Sequence, residues 1–208
     1  MTGREVFSRI ARRYDTLNTI LSLGRDGEWR RRAIEHLPEG RVLDLGGGTG
    51  AANVEFGARE VVALDPNFEM LSLNPEFRRV VGVGESLPFA AEAFDGVFSA
   101  FVVRNLESVG ATMAEVARVL RPGGVAAIVD LGRPVTPVKR ALHRVGTAIT
   151  LPLAGLAVGA PGEYWYLHRS LDKLPPPEVL YADAPLRFER LWRMGPLGFV
   201  YGAVFRKA

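Results

Sequence analysis

The 208-residue chain contains no cysteine, no glutamine, three lysines and three histidines. Without cysteine there can be no disulfide, no thiolate metal site and no cysteine nucleophile, and the chain suits a reducing compartment. His36, His143 and His168 lie far apart and form no metal-ligand spacing, so no metal is expected. The opening MTGREVFSRIARRYD lacks an apolar centre, so no signal peptide is expected. Long hydrophobic runs are scarce. One stretch of 18 uncharged residues, Val145 to Gly162, holds Pro152, Pro161 and four glycines. It reads as buried or interfacial helical pieces rather than a membrane span. A cytoplasmic protein with peripheral membrane contact is the expectation.

Apolar residues are not lacking. They make up 48% of the chain against 24% charged, which excludes wholesale disorder, and the length suits one domain with a sizeable core. The net charge of +3 is unevenly placed: +3 in residues 1–41, −6 in 42–131 and +6 in 132–208. Ordinary surface variation accounts for such a split as readily as a basic face for an anionic membrane, nucleic acid or substrate does.

Residues 3–37 read as helical, with Val6, Phe7, Ile10, Tyr14, Leu17 and Leu21 recurring at three- and four-residue steps. After Gly40 the pattern changes. RVLDL, EVVALD, RRVVGVG, FDGVFSAFVV and GVAAIVDL are short apolar strands, and Ser108–Leu120 is a helix stopped by Arg121-Pro122-Gly123-Gly124. Strands alternating with helices mean a parallel sheet wrapped by helices. Residues 134–180 break this rhythm, and RFERLWRM and FVYGAVFRKA then read as a closing pair of strands about Gly195–Gly198.

Asp44-Leu45-Gly46-Gly47-Gly48-Thr49-Gly50 is the most informative segment. A glycine turn after a strand lets backbone N–H groups approach a ligand, and the start of a following helix would add positive potential. Asp65 ends the next strand, 21 residues after Asp44, where a carboxylate can accept hydrogen bonds from ribose hydroxyls. A dinucleotide site would use a similar loop, but Asp44 just before the first glycine would repel a pyrophosphate. It suits a ligand with an ammonium group, such as the methionine end of S-adenosylmethionine.

This loop, the acid at Asp65, Leu87-Pro88-Phe89, Phe94-Asp95-Gly96-Val97 and the RVLRPGG before the fifth strand together resemble class I S-adenosylmethionine-dependent methyltransferases. Val6-Phe7-Ser8, Arg13-Tyr14-Asp15 with Asn18, Trp29-Arg30, the pair Arg104-Asn105, and Tyr164, Tyr166, Leu167 and Ser170 narrow it further. They resemble ubiquinone/menaquinone C-methyltransferases of the UbiE/MenG type. That resemblance implies a Rossmann-like α/β fold, with a mostly parallel seven-stranded sheet and an antiparallel C-terminal hairpin. It implies a single domain: a helical cap (1–40), a cofactor-binding core (41–133), a helical insertion over the acceptor (134–182) and the hairpin (183–208).

The resemblance places S-adenosylmethionine against Asp44, Gly46, Gly48, Thr49 and Gly50 at its methionine end, and Asp65 and Pro66 at the ribose. Val83, Gly84 and Glu85 fall at the adenine, and Ala100 and Phe101 at the end of the fourth strand. Val83 stands where the family usually has Asp or Asn, leaving its backbone or Glu85 to meet the adenine. The implied reaction is methylation of a prenylated hydroquinone. Arg104 would stabilise a phenolate, Asn105 would orient it, and the Tyr14 hydroxyl would close the site. A plain Arg–carboxylate pair and a core-packed Tyr14 are the structural alternatives. His143, His168 or water would take the proton. The apolar run would line a slot for a prenyl tail, with Tyr164, Trp165 and Tyr166 over the ring, or simply pack the insertion or a homodimer contact. A phospholipid amine, sterol or small phenol remains an alternative acceptor, and a non-catalytic or RNA-associated protein an alternative of another class. No nucleic-acid module is evident.

Overall fold

Residues 22, 24–76, 78–157, 171–172 and 174–208 are described by a computed structural model, with backbone alone at 154, 155 and 157. The apolar runs form strands as their composition requires: β1 (Arg41–Leu45), β2 (Glu60–Asp65), β3 (Arg79–Val81), β4 (Phe94–Ala100) and β5 (Leu120–Leu131). Together with β6 (Arg187–Met194) and β7 (Val200–Arg206) they make one seven-stranded sheet of order β3-β2-β1-β4-β5-β7-β6. The first five strands pair in parallel, and β7 inserts antiparallel between β5 and β6. The expected architecture is therefore present, hairpin included.

Parallel strands covered on both faces bury alternate residues on opposite sides. On one face Leu43, Leu45, Val97 and Ile128 pack against Met113 and Val116 of α3 (Val109–Val119). On the other, Val42, Phe98, Ala127 and Val204 pack against Trp29, Ala33 and Ile34. These belong to α1 (Asp26–Ile34). The alternation puts Asp44 on the Val42 side, facing α1.

Local chemistry sets the element ends. Ser108 caps α3, its Oγ accepting from the Ala111 N–H at 3.2 Å. Asn67 caps α2 (Phe68–Ser72), its Oδ1 accepting from the Met70 N–H at 2.9 Å. A short α5 (Pro177–Leu180) leads to Tyr181, whose hydroxyl meets that of Tyr201 at 3.0 Å in the core.

Three expectations are corrected. No full helix follows the glycine loop: Asn53–Glu55 is a single 3-10 turn, because Gly57, at φ 62°, ends the segment after one turn. The fifth strand does not begin at Gly124, as GVAAIVDL suggests. β5 starts at Leu120 and pairs with Phe94, then resumes at Val125 opposite Gly96, with the intervening residues bulged. Over its described part the apolar stretch is not broken into pieces at Pro152: α4 (Pro137–Ala157) runs as one 21-residue helix through that proline. Among the described residues, no helix is long and apolar enough to cross a membrane.

Candidate active site

The loops at the carboxyl ends of β1, β2 and β4 enclose a cavity of about 730 Å³, within the range of small-molecule sites. Its wall carries Asp44, Gly46, Gly47, Gly48, Thr49, Asp65, Pro66, Val83, Gly84, Glu85, Ala100, Phe101 and Asn105. Of the fifteen residues assigned from sequence to the cofactor or to catalysis, all but three meet there, and His143, a candidate proton acceptor, does not line the wall. Gly50 does not line the wall; at φ 86° it closes the turn, donating to the Gly47 carbonyl at 2.9 Å. Arg104 does not line it either. Tyr14 lies outside the described residues, as do Tyr164, Trp165, Tyr166, Ser170 and His168.

The glycine loop works differently from the sequence expectation. Gly46 and Gly47 donate to the Leu64 carbonyl at 2.7 and 3.0 Å, and Gly48 donates to Asp65 Oδ2 at 3.0 Å. These N–H groups turn inward and leave no phosphate cradle. The glycines supply room instead: a Cβ on Gly46, at φ 77°, would collide with Val102.

Asp44 is fully buried, and its Oδ2 has no hydrogen-bond partner. Burial pushes its carboxyl up to about 7; Arg30 opposes that rise and Asp65 adds to it. An unsatisfied anionic oxygen in a cavity wall calls for a cationic ligand group. Arg30 is itself buried on the cavity wall, ion-paired with Asp26, and its guanidinium lies over the Phe101 ring at 5.3 Å from the centroid. Sequence reasoning used Arg30 only as part of a motif. Its i, i+4 spacing from Asp26 was the available sign that it is held in place.

Asp65 also accepts the Asn67 N–H through Oδ1 at 2.8 Å, which fixes the carboxylate at the end of β2. Glu85 Oε1 accepts the N–H groups of Glu107 and Ser108 at 2.8 and 3.2 Å, tying the turn after β3 to the start of α3. At the end of β4 the chain turns sharply. Phe101 takes φ 63°, an uncommon conformation for a bulky residue. The Val103–Asn105 turn follows, with the Val103 N–H donating to Asp130 Oδ2 at 2.6 Å. Arg104 reaches Asp130 Oδ1 at 3.4 Å from behind this turn. Burial raises the Asp130 carboxyl against the lowering effect of Arg104. Asn105 lines the cavity, and its buried Oδ1 has no hydrogen-bond partner.

The other motifs hold the frame. Asp95 of FDGV accepts the Arg41 N–H at 2.8 Å and pairs with Arg121 at 2.5 Å, at the opposite end of the sheet. The carbonyls of Leu87 and Phe89 are held by Arg118 of α3 at 3.0 and 2.8 Å. Of the expected prenyl slot, residues 158–162 and the three aromatics lie outside the described residues. Leu151 is buried, but Val145, Ile149, Leu153 and Leu156 face outward.

Comparison with known proteins gives the family. The profile of the ubiE/COQ5 methyltransferase family matches residues 2–183. The chain is 39% identical over 189 residues to a demethylmenaquinone methyltransferase of Roseiflexus sp. (strain RS-1), covering 84% of this chain and 79% of that one. It is 35% identical to the ubiquinone/menaquinone biosynthesis C-methyltransferase UbiE of Syntrophotalea carbinolica, over 83% of this chain and 79% of that one. The crystal structure of a SAM-dependent methyltransferase from Thermotoga maritima shares the fold, with a TM-score of 0.66 at 17% identity and 98% and 99% coverage. The chain belongs to the ubiE/COQ5 methyltransferase family and is an S-adenosylmethionine-dependent methyltransferase.

Proposed function

We propose that this enzyme transfers a methyl group from S-adenosylmethionine to a ring carbon of a demethylmenaquinol-type prenylated hydroquinone. The observation that carries the acceptor is the 39% identity with a demethylmenaquinone methyltransferase over 84% of this chain.

The residues present fit the cofactor. The partnerless Asp44 oxygen suits the ammonium of its methionine end. Gly46, Gly48 and Thr49 would border it, with Gly50 shaping the turn. Asp65 and Pro66 would meet the ribose. Val83 and Gly84 would meet the adenine through backbone, since Glu85 is engaged with the Glu107 and Ser108 N–H groups. Ala100 and Phe101 would close the wall. Bound there, the cofactor supplies a methyl carbon with its leaving group already attached.

The protein must then align the ring carbon about 3 Å from that methyl, ease loss of a ring hydroxyl proton and exclude water. Asn105, on the cavity wall with a partnerless Oδ1, would accept from such a hydroxyl. Arg104 is a positioning residue: its bond to Asp130 holds the Val103–Asn105 turn, and its charge behind the turn lowers the energy of a phenolate in a dry site. Tyr14 would close the site through its hydroxyl.

Assay of methyl transfer to reduced demethylmenaquinone, beside phosphatidylethanolamine, a sterol and a small phenol, tests the reading. Transfer to the quinol should exceed the others by at least about tenfold. Preference for any other acceptor rejects it.

A further inference from the structure

α4 is held to the body along one side and bare along the other. His143 and Leu151 are buried and Thr147 is half-buried, at steps of four residues. Thr147 and His143 meet the Arg133 guanidinium at 3.0 and 3.3 Å, and Arg133 grips Asp172 through two bonds at 2.9 and 3.1 Å. On the opposite side stand Val138, Leu142, Val145, Ile149, Leu153 and Leu156, each more than half exposed. At 3.6 residues per turn these six fall within an arc of about 80°. Scattered apolar residues on a surface are ordinary; a continuous stripe the length of a 21-residue helix is not.

The charges on α4 itself have one sign. Between Asp130 and Glu163 the sequence has no acid and four cations: Arg133, Lys139, Arg140 and Arg144. On the helical wheel Lys139 and Arg144 fall on either border between the buried side and the apolar arc; Arg144 is well exposed and also pairs with Asp172 at 3.5 Å. Arg140 caps the carbonyls of Pro134 and Val135 at 3.1 and 3.2 Å. An apolar face flanked by cations, on a helix unable to span a bilayer, is the pattern of a helix lying in a membrane interface. A second copy seated on this stripe would bring the same cations together with no α4 acid to answer them.

We propose that α4 docks this enzyme on an anionic phospholipid surface, its apolar arc sunk among the acyl chains and Lys139 and Arg144 at the headgroups. This surface is distinct from the cavity, and its test needs no turnover, so it stands or falls separately from the acceptor assigned above.

The experiment is flotation of the full-length chain with vesicles of phosphatidylcholine alone and with 30 mol% phosphatidylglycerol added. The triple variant Leu142→Gln/Val145→Gln/Ile149→Gln and the single variant Lys139→Glu are run beside it. The wild type should float with the anionic vesicles and release as salt rises. The triple variant should partition at least about tenfold less, and Lys139→Glu about fivefold or more less. Both should keep their circular dichroism and their S-adenosylmethionine affinity. No flotation of the wild type, or equal flotation with both vesicle types, overturns the proposal. So does flotation that the triple variant leaves unchanged. A wild-type dimer that the triple variant converts to monomer, without vesicle binding, overturns it in favour of a second copy.

Discussion

The Arg104 guanidinium lies 3.4 Å from Asp130 Oδ1, and the two side chains are 7% and 0% exposed. A buried pair of this kind is costly to break from one side, because the remaining charge loses its partner. Arg104→Ala should destabilise the fold by about 3 kcal/mol at pH 8. Without the cation, the Asp130 carboxyl, already raised by burial, rises further, so the folded state binds a proton that the unfolded state does not. Stability of the variant therefore falls as pH rises, and its deficit should be smaller at pH 5 than at pH 8. Urea unfolding at the two pH values measures this. Turnover should fall with cofactor affinity retained; near-normal turnover contradicts the positioning role.

Asp44 trades stability for binding. Its carboxyl titrates near 7 in the free protein against 3.8 ordinarily, so the folded state holds an extra proton between those values. Its contribution to stability is lost as pH rises through that window. Asp44→Asn should be more stable than wild type at pH 8, by about 1–3 kcal/mol without ligand, with the gain vanishing near pH 4. The same variant should lose S-adenosylmethionine binding by about 100-fold. In the wild type, affinity should rise with pH up to about 7 and level off above it. Thermal melts and calorimetric titration across pH measure both.

Gly46→Ala should reduce stability by about 1–3 kcal/mol and weaken the cofactor, since φ 77° is strained for alanine and its methyl meets Val102. Adding Val102→Ala should restore only part of the loss, because it removes the collision and leaves the strained backbone. Full restoration would mean that the collision alone matters. Cofactor titration of the single and double variants decides it.

Arg133 joins the end of β5 to α4 and to Asp172. Arg133→Ala should speed amide hydrogen exchange across residues 137–157 by at least about tenfold, and leave exchange in β1 and β2 unchanged. Hydrogen exchange with mass spectrometry reads this, and uniform protection of α4 would contradict the anchoring role.

The strands were legible because buried parallel strands are short, mostly apolar runs, and Asp44 and Asp65 because each is a carboxylate at or next to the carboxyl end of such a run. What sequence could not supply was direction and partner. The glycine loop looked like a set of donors, yet its N–H groups are spent on Leu64 and Asp65. Arg104 sits one residue from the wall-lining Asn105 but faces Asp130, 26 residues on, a contact made only when β4 and β5 pair. Arg30 enters the cavity because α1 packs over the Asp44 face of the sheet, which no local pattern announces. Pro152 suggested an interruption in α4, whereas the helix continues through it.

The central claim is methyl transfer to a prenylated hydroquinone. Its most direct test is incorporation of labelled methyl from S-adenosylmethionine into chemically reduced demethylmenaquinone, with the product ring analysed by mass spectrometry. One added methyl on a ring carbon, lost in Asp44→Asn and Asn105→Ala, is the expected result. Cofactor binding without transfer to the quinol, or a methyl found on oxygen, would contradict the account.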